Sequence, residues 1–425
     1  MSTPSLLNIP YVIKAGTLYS QIPETGAGDF VVTRVTTPTA NRSTRVNANG
    51  LLEFVNDNVP RLDYPVGGAV NGCPALLVEP AATNLVPNGL SYNAVTGVLY
   101  DTTVTDSPAT GINSARATKN EGAGNNRYPS QIFSAIALSA NTAYTVSRFF
   151  KFDGHTFATS LEASSSAQWG NVTWNQVINL ASTGVTLGTS TNCTGSVENY
   201  GNGWFRVSVR VTTGATISGA TTVNVLSILP SALSTGQGFL ASLPQLETGS
   251  VPTSYIHTTT QAIARGSDVM RKTGITSLLG QSEGTVYFEV EVTDEARNKW
   301  FCTLDSASNS FIQMWVNPSR QISAQINNSG TIVVSVLTSS VLTLGYHKVA
   351  FAYNTATNGC IMYVDGVQNP ATTRTVGSPG LPAFNDMRFG GYITGTTESI
   401  KGHVRAGAVY PNRLSNSELA ALTTP

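Results

Sequence analysis

The sequence predicts an all-β protein built of sandwiches, and three observations carry that prediction. Short alternating or β-branched runs recur from end to end, separated by Gly, Asn, Asp and Pro, the pattern of sandwiches and barrels. Only one stretch has convincing helical signals, at the C-terminus. Charged residues make up 11% of the 425-residue chain, against about 25% in an average domain, and Thr, Ser, Asn and Gly supply the polarity instead.

The elements follow in chain order. GDFVVTRV (28–35) and GLLEFV (50–55) are short strand candidates between turn-rich stretches. AYTVSRFFKF (143–152), WFRVSVRV (204–211), TVNVLSIL (222–229), GTVYFEVEV (284–292), TIVVSVLT (331–338) and YHKVAFAY (346–353) are longer ones. In WFRVSVRV the period-two rule puts Phe205, Val207, Val209 and Val211 on a core face and Trp204, Arg206, Ser208 and Arg210 on the other. In RLSNSELAALTTP, Ser415 caps a helix, Glu418 completes a capping box, and Leu419 and Leu422 are left to pack on a sheet.

Composition divides the chain into four segments. Residues 1–72 hold too little apolar content for an independent core, so they are expected to fold against partner chains. Residues 73–256 form one strand-rich block, 257–275 a polar linker, and 276–425 a second strand-rich block.

Charge and cysteine usage exclude several classes. The 24 basic and 24 acidic side chains cancel, which suits neither nucleic acid nor an anionic membrane surface. No apolar run approaches the roughly 20 residues that span a bilayer, so membrane insertion is not expected. MSTPSLLNIPYVIKAG lacks the basic and apolar regions of a secretory signal, and synthesis in the cytoplasm is the expectation. Cys73, Cys193, Cys302 and Cys360 are far apart and form no C-x-x-C pair, arguing against zinc and disulfides and for buried free thiols.

A longer ordered pattern runs from residue 47 to 89. It comprises Asn47, Gly50, Leu51 and Glu53, then Val59, Pro60, Arg61, Asp63 and Tyr64, then Leu76, Leu77, Glu79, Pro80, Thr83, Asn84 and Leu85. This resembles a recurrent stretch of bacteriophage virion proteins of the fibre and tail-spike type. The same family closes the module with a stretch similar to LPQLETGSVPTSYI (243–256) and an Arg-x-x-Asp like Arg265 to Asp268. Between them GNGWFRVSV (201–209) is similar to a strand of carbohydrate-binding jelly rolls. GYHKVAFAYNTATNGCIMYVDGVQN (345–369), DMRFGGY (386–392) and HVRAGAVYPNRLSNSELAAL (403–422) resemble a concanavalin A-like or laminin-G-like sandwich, with Asp365-Gly366 suited to a tight hairpin turn.

The resemblance implies a virion subunit, on head or tail. Residues 1–72 would attach it to other virion proteins and oligomerise it, with a homotrimer expected. Two jelly-roll sandwiches would project outward and adhere to host-surface polysaccharide. It implies no cofactor and leaves open whether calcium occupies the concanavalin A-like edge.

Candidate chemistry is sparse. Glu289 and Glu291 lie two apart on one strand, hence about 6.6 Å apart on one face, near the separation of glycosidase carboxylate pairs. The stretch also resembles the carboxylate strand of laminarinase-type hydrolases, with Glu291 standing where that family has Asp. The competing reading puts Val286, Phe288, Val290 and Val292 inward and leaves both glutamates in water, so no catalytic residue is expected. His155, His257, His347 and His403 are scattered, and no metal site is expected. Sugar binding needs aromatic faces beside amides: Trp169, Asn171 and Trp174 offer one such set and Trp300, Trp315 and Tyr392 another, each against a packing role. Glu247, in LETGSVPTSYI, is expected to accept hydrogen bonds from turn amides or to pair with an arginine.

Overall fold

A computed structural model describes residues 2–9, 13–14, 17–64, 73–87, 98–119, 131–163, 166–217, 221–226, 234–295, 297–307, 309–338, 340–355, 359–374, 380–391 and 399–425. Strands dominate, and the one α-helix among the described residues is Asn416–Thr423, opened by the Ser415–Glu418 capping box. Leu419 is wholly buried and Leu422 partly so, both against the outer face of a sheet with Tyr287, Tyr363 and Tyr410.

Alternation builds the C-terminal sandwich. In Glu283–Val292 the side chains of Val286, Phe288, Val290 and Val292 point into one core and are out of water. This strand lies between Gly345–Asn354 and Gly402–Tyr410, both antiparallel to it. The first sheet continues through Ile361–Val364 to Val367–Arg374, joined by a hairpin turn in which Asp365 and Gly366 adopt φ of 48° and 77°. Asp365-Gly366 thus makes the expected tight turn. Facing it are Thr331–Leu337, Ile322–Asn328, Ser310–Val316, Lys299–Ala307, Asp386–Phe389 and Val269–Lys272, each antiparallel to the next.

The middle sandwich has a six-stranded sheet in the spatial order Val98–Val104, Ser114–Lys119, Gly238–Thr248, Ala143–Lys151, Trp204–Thr212 and Thr194–Gly201. Phe157–Glu162, Asn175–Ala181 and Gly184–Thr191 pack on its inner face through Leu161, Ile178 and Leu180. As expected, Val207, Val209 and Val211 belong to that core. The opposite face is not open to water: Trp204, Arg206 and Ser208 are buried too. The hairpin of Ser43–Val46 and Leu52–Val55 covers it, placing Val46 and Leu52 against Phe149, Trp204 and Tyr255.

That hairpin corrects the reading of residues 1–72. The segment completes its core on its own chain. Leu6–Asn8 pairs with residues 407–409, Phe30–Thr33 with Val269–Lys272, and Arg61–Asp63 with Ala75–Val78, which in turn pairs with residues 402–404. Leu6, Leu18, Phe30 and Val32 are members of the C-terminal core. The stretch 257–275 is likewise no simple linker, since Ile263–Arg265 pairs with Ala82–Asn84 and Val269–Lys272 is a full sheet member. Its polar composition hid two short strands, each paired on both sides and each burying one apolar side chain, Ile263 and Met270. The cysteines are all free; Cys302 and Cys360 are buried, whereas Cys193 is half-buried and Cys73 exposed, against the expectation for those two.

Candidate functional site

Arg61, Glu79, Arg265 and Asp268 of the ordered pattern converge with Arg34 on the joint between the sandwiches. Arg34 bonds Asp268 through Nη1 at 2.9 Å, and Arg61 bonds Glu79 through Nη2 at 2.8 Å. Arg61 also pairs with Asp268 and Arg265 with Glu79, all five side chains lying out of water. Ser254 donates its backbone N–H and its hydroxyl to Glu79, at 2.7 and 2.6 Å. Burial alone would raise the Glu79 carboxyl, yet Arg265 and Arg61 hold it well below its ordinary range; Asp268 is lowered by Arg61 and Arg34 against the same opposition. Paired and out of water, these groups fix architecture.

Glu247 belongs to the same joint. Its carboxylate accepts from the Thr253 backbone N–H at 2.8 Å, the Thr253 hydroxyl at 2.7 Å and Gln245 Nε2 at 2.8 Å. The turn amide is the partner expected, and Glu247 is 1% exposed.

Glu289 and Glu291 do share one face, but each is engaged. Glu291 accepts from His403 Nδ1 at 2.6 Å and from its backbone N–H at 3.1 Å, while His403 Nε2 reaches Asp63 at 2.9 Å. Burial would lower the His403 pKa; hydrogen bonds to Asp63 and Glu291 and their charges outweigh it and push it up to about 10. In return, and against its own burial, Glu291 is lowered by the His403 bond. Glu289 meets Arg405 at 3.3 Å, and that guanidinium lies 3.5 Å from the centre of the Tyr346 ring. A glycosidase pair needs one carboxyl kept protonated near neutral pH; Glu291 is driven the other way.

The two aromatic sets part company. Trp169 and Trp174 are 1% and 0% exposed, pack edge to face at 5.1 Å, and belong to the middle core. A sugar platform on these two rings is therefore corrected to a packing role, because large aromatics fill the interior between the facing sheets. Asn171, between them, is exposed with φ of 64°. In the C-terminal sandwich Trp300 and Trp315 are cross-strand partners and stack at 5.8 Å with 25° between planes. Trp300 is nearly covered at 9% exposure, and Trp315, in front of it, is half-buried. Tyr392 lies outside the described residues.

Beside this stack runs a polar row that sequence reasoning missed. Met314, Ala324, Leu304 and Val334 point into the core, so their strand neighbours point out. Register then aligns Arg271, Arg388, Thr303, Gln313, Gln325 and Ser335 across six adjacent strands. The two arginines are neutralised by Asp386 and Asp305. Trp300 donates its indole N–H to Gln313 Oε1 at 3.2 Å, and buried Gln313 Nε2 has no hydrogen-bond partner among the described residues. Leu337 and Ile332 border the row, 37% and 43% exposed. The signal was available in FIQMWV, where Gln313 and Trp315 alternate with core residues.

No curated protein matches the chain. Among solved structures, the carbohydrate-binding module of the Ruminococcus gnavus IT-sialidase, bound to α2,3-sialyllactose, is similar at 13% identity and a TM-score of 0.30, over 34% of this chain and 84% of that one. The NanB sialidase of Streptococcus pneumoniae is similar at 12% and 0.31, over 36% of this chain and 25% of that one. A heptameric pentraxin of Limulus polyphemus follows at 11% and 0.28, over 33% and 69%. Residues 265–420 match the model of the laminin-G type in the concanavalin A-like lectin/glucanases superfamily, so the C-terminal sandwich carries a domain of that fold.

Proposed function

We propose that the protein is an adhesion subunit of a phage virion, a fibre or spike component that holds host-surface glycan on the outer face of its C-terminal sandwich. The observation that carries this reading is the stacked Trp300–Trp315 pair beside Gln313, whose amide N–H group lacks a partner among the described residues. A sugar ring presents C–H faces to an aromatic and hydroxyls to amides. Trp315 offers the first and half-buried Gln325 the second, with buried Gln313 holding Trp300 behind them, while the neutralised arginines keep the face free of net charge. Contacts of this kind are weak singly, and a homotrimer would raise the effective concentration of the second and third sites. Adhesion without turnover fits the engagement of Glu289 by Arg405 and of Glu291 by His403.

The test is a glycan array with the full chain, followed by calorimetry on any glycan retained. Trp315→Ala is expected to weaken binding about tenfold or more, since an aromatic contact and its burial contribute on the order of 1.5 kcal/mol. Unchanged affinity in Trp315→Ala and in Gln313→Leu would remove this face from the function. Light scattering that finds a monomer at micromolar concentration would remove the trimer.

A further inference from the structure

A second polar site lies on the middle sandwich. Asn171, Val172, Asn192, Cys193, Thr194, Arg210 and Thr212 line an open groove of about 620 Å³, a size within the range of small-ligand sites. Its rim is held on both sides. Trp169 and Trp174 anchor the turn of residues 170–173 in the core. Gly214 donates its N–H to the Trp169 carbonyl at 3.0 Å and approaches so closely that a Cβ there would lie 2.0 Å from the Gly170 oxygen. Asn192 Nδ2 donates to the Thr173 carbonyl at 2.7 Å, and Cys193 Sγ to the Asn175 carbonyl at 3.2 Å, which ties the opposite turn to the first. Asn171 and Asn192 both hold left-handed backbone, with φ of 64° and 51°.

The chemistry inside this rim is one-sided. The Arg210 guanidinium is exposed, and among the described residues it has no ion-pair partner and no carboxylate lines the groove. Among the described residues Asn171, Thr194 and Thr212 have no side-chain hydrogen-bond partner, and Asn192 uses only its Nδ2. Burial pushes the Cys193 thiol up, so it stays neutral and is no covalent trap. An unpaired guanidinium is a fork for carboxylate or phosphate; amides and hydroxyls around it suit a polyhydroxylated body. Because the rim is already fixed, little ordering is lost when a ligand enters.

We infer that this groove binds a carboxylate-bearing sugar, with Arg210 on the carboxylate and Asn171, Asn192, Thr194 and Thr212 on hydroxyls. The site is separate from the tryptophan face and does not depend on it. Calorimetry on the full chain uses three probes: a uronic-acid disaccharide, the matched neutral disaccharide and inorganic phosphate. The uronic-acid probe is expected to bind, to weaken as salt is added, and to lose about ten- to a hundredfold in Arg210→Met, the range for a hydrogen-bonded charge pair. Arg210→Lys should recover part of that loss, and the Arg210→Met loss should persist in a Trp315→Ala background. The inference is overturned if the neutral disaccharide binds as well as the acidic one, if Arg210→Met binds normally, or if phosphate binds as tightly as the sugar acid, which would make this an anion site alone.

Discussion

Arg34 and Asp268 are joined at 2.9 Å across 234 positions of the chain, with neither side chain in contact with solvent. Arg61 meets both Asp268 and Glu79, whereas Arg34 meets only Asp268 among the carboxylates. Three guanidiniums, of Arg34, Arg61 and Arg265, face two carboxylates, which leaves one positive charge in excess. The pKa directions agree with that imbalance: burial, with help from Arg61 and Arg265, brings Arg34 down, and the two carboxylates raise Arg61 despite its burial. Arg61→Met should therefore cost about 3–5 kcal/mol, the penalty for stranding buried charge. Arg34→Met should cost less, about 1–3 kcal/mol. Urea unfolding of the full chain checks the order, and an Arg34 variant as damaging as the Arg61 variant would contradict it.

Two histidines should pull the pH profile in opposite directions. His403 has a folded pKa of about 10, above an unfolded value of roughly 6.5. Its contribution is complete below pH ~6.5 and is lost as pH rises toward 10. His257 is lowered to about 4 by burial and by Arg42. It stays neutral when folded, so protonation of the unfolded chain costs stability as pH falls from ~6.5 toward 4. His403→Gln should chiefly flatten the alkaline limb of a stability profile, with a smaller change on the acid limb through Glu291, while His257→Gln should flatten the acid limb and leave the alkaline one. Equal change on both limbs in either variant would refute the assignment.

The architecture was legible where one physical rule governs a stretch alone. Val286 to Val292 follow period two, and Ser415 with Glu418 follows cap chemistry; both needed only local sequence. The paired outer face of Trp204 was not legible, because what covers it, Val46 and Leu52, lies some 150 positions earlier. The same holds for Phe30, whose partner Phe389 is in the last strands. Trp169 and Trp174 look like a binding platform in sequence because exposed Asn171 sits between them, and only packing reveals that both rings turn inward. Gln313 was within reach: it alternates with Ile312 and Met314, and its pairing to Trp300 follows once register is known.

Phe30 gives this long-range packing a direct measure. It is wholly buried and stacks on Phe389 at 4.4 Å. Phe30→Ala is expected to destabilise the C-terminal sandwich by about 3–5 kcal/mol. Val31, its neighbour on the outer face at 61% exposure, should tolerate alanine within about 0.5 kcal/mol. Hydrogen exchange of amides in Glu283–Val292 locates the effect, and full protection in the Phe30 variant would show that the N-terminal strands are not part of that cooperative unit.

The engagement of Glu291 bears directly on turnover. A general acid must release its proton at the working pH and hence carry a raised pKa, but the His403 imidazolium stabilises the Glu291 carboxylate. Glu289 faces Arg405, another cation. Glu291, held as its carboxylate, is not available as a proton donor to a glycosidic oxygen, and Glu289 is engaged by Arg405. Polysaccharide incubated with the protein should therefore yield no new reducing ends, and Glu289→Gln should leave glycan retention within about twofold. Release of reducing ends by the unmodified chain, abolished by Glu291→Gln, would instead require that substrate displace His403 from Glu291. That displacement would free an imidazole whose pKa falls back from about 10, so the activity would appear together with a histidine titrating near neutrality, measurable by NMR in the presence of glycan.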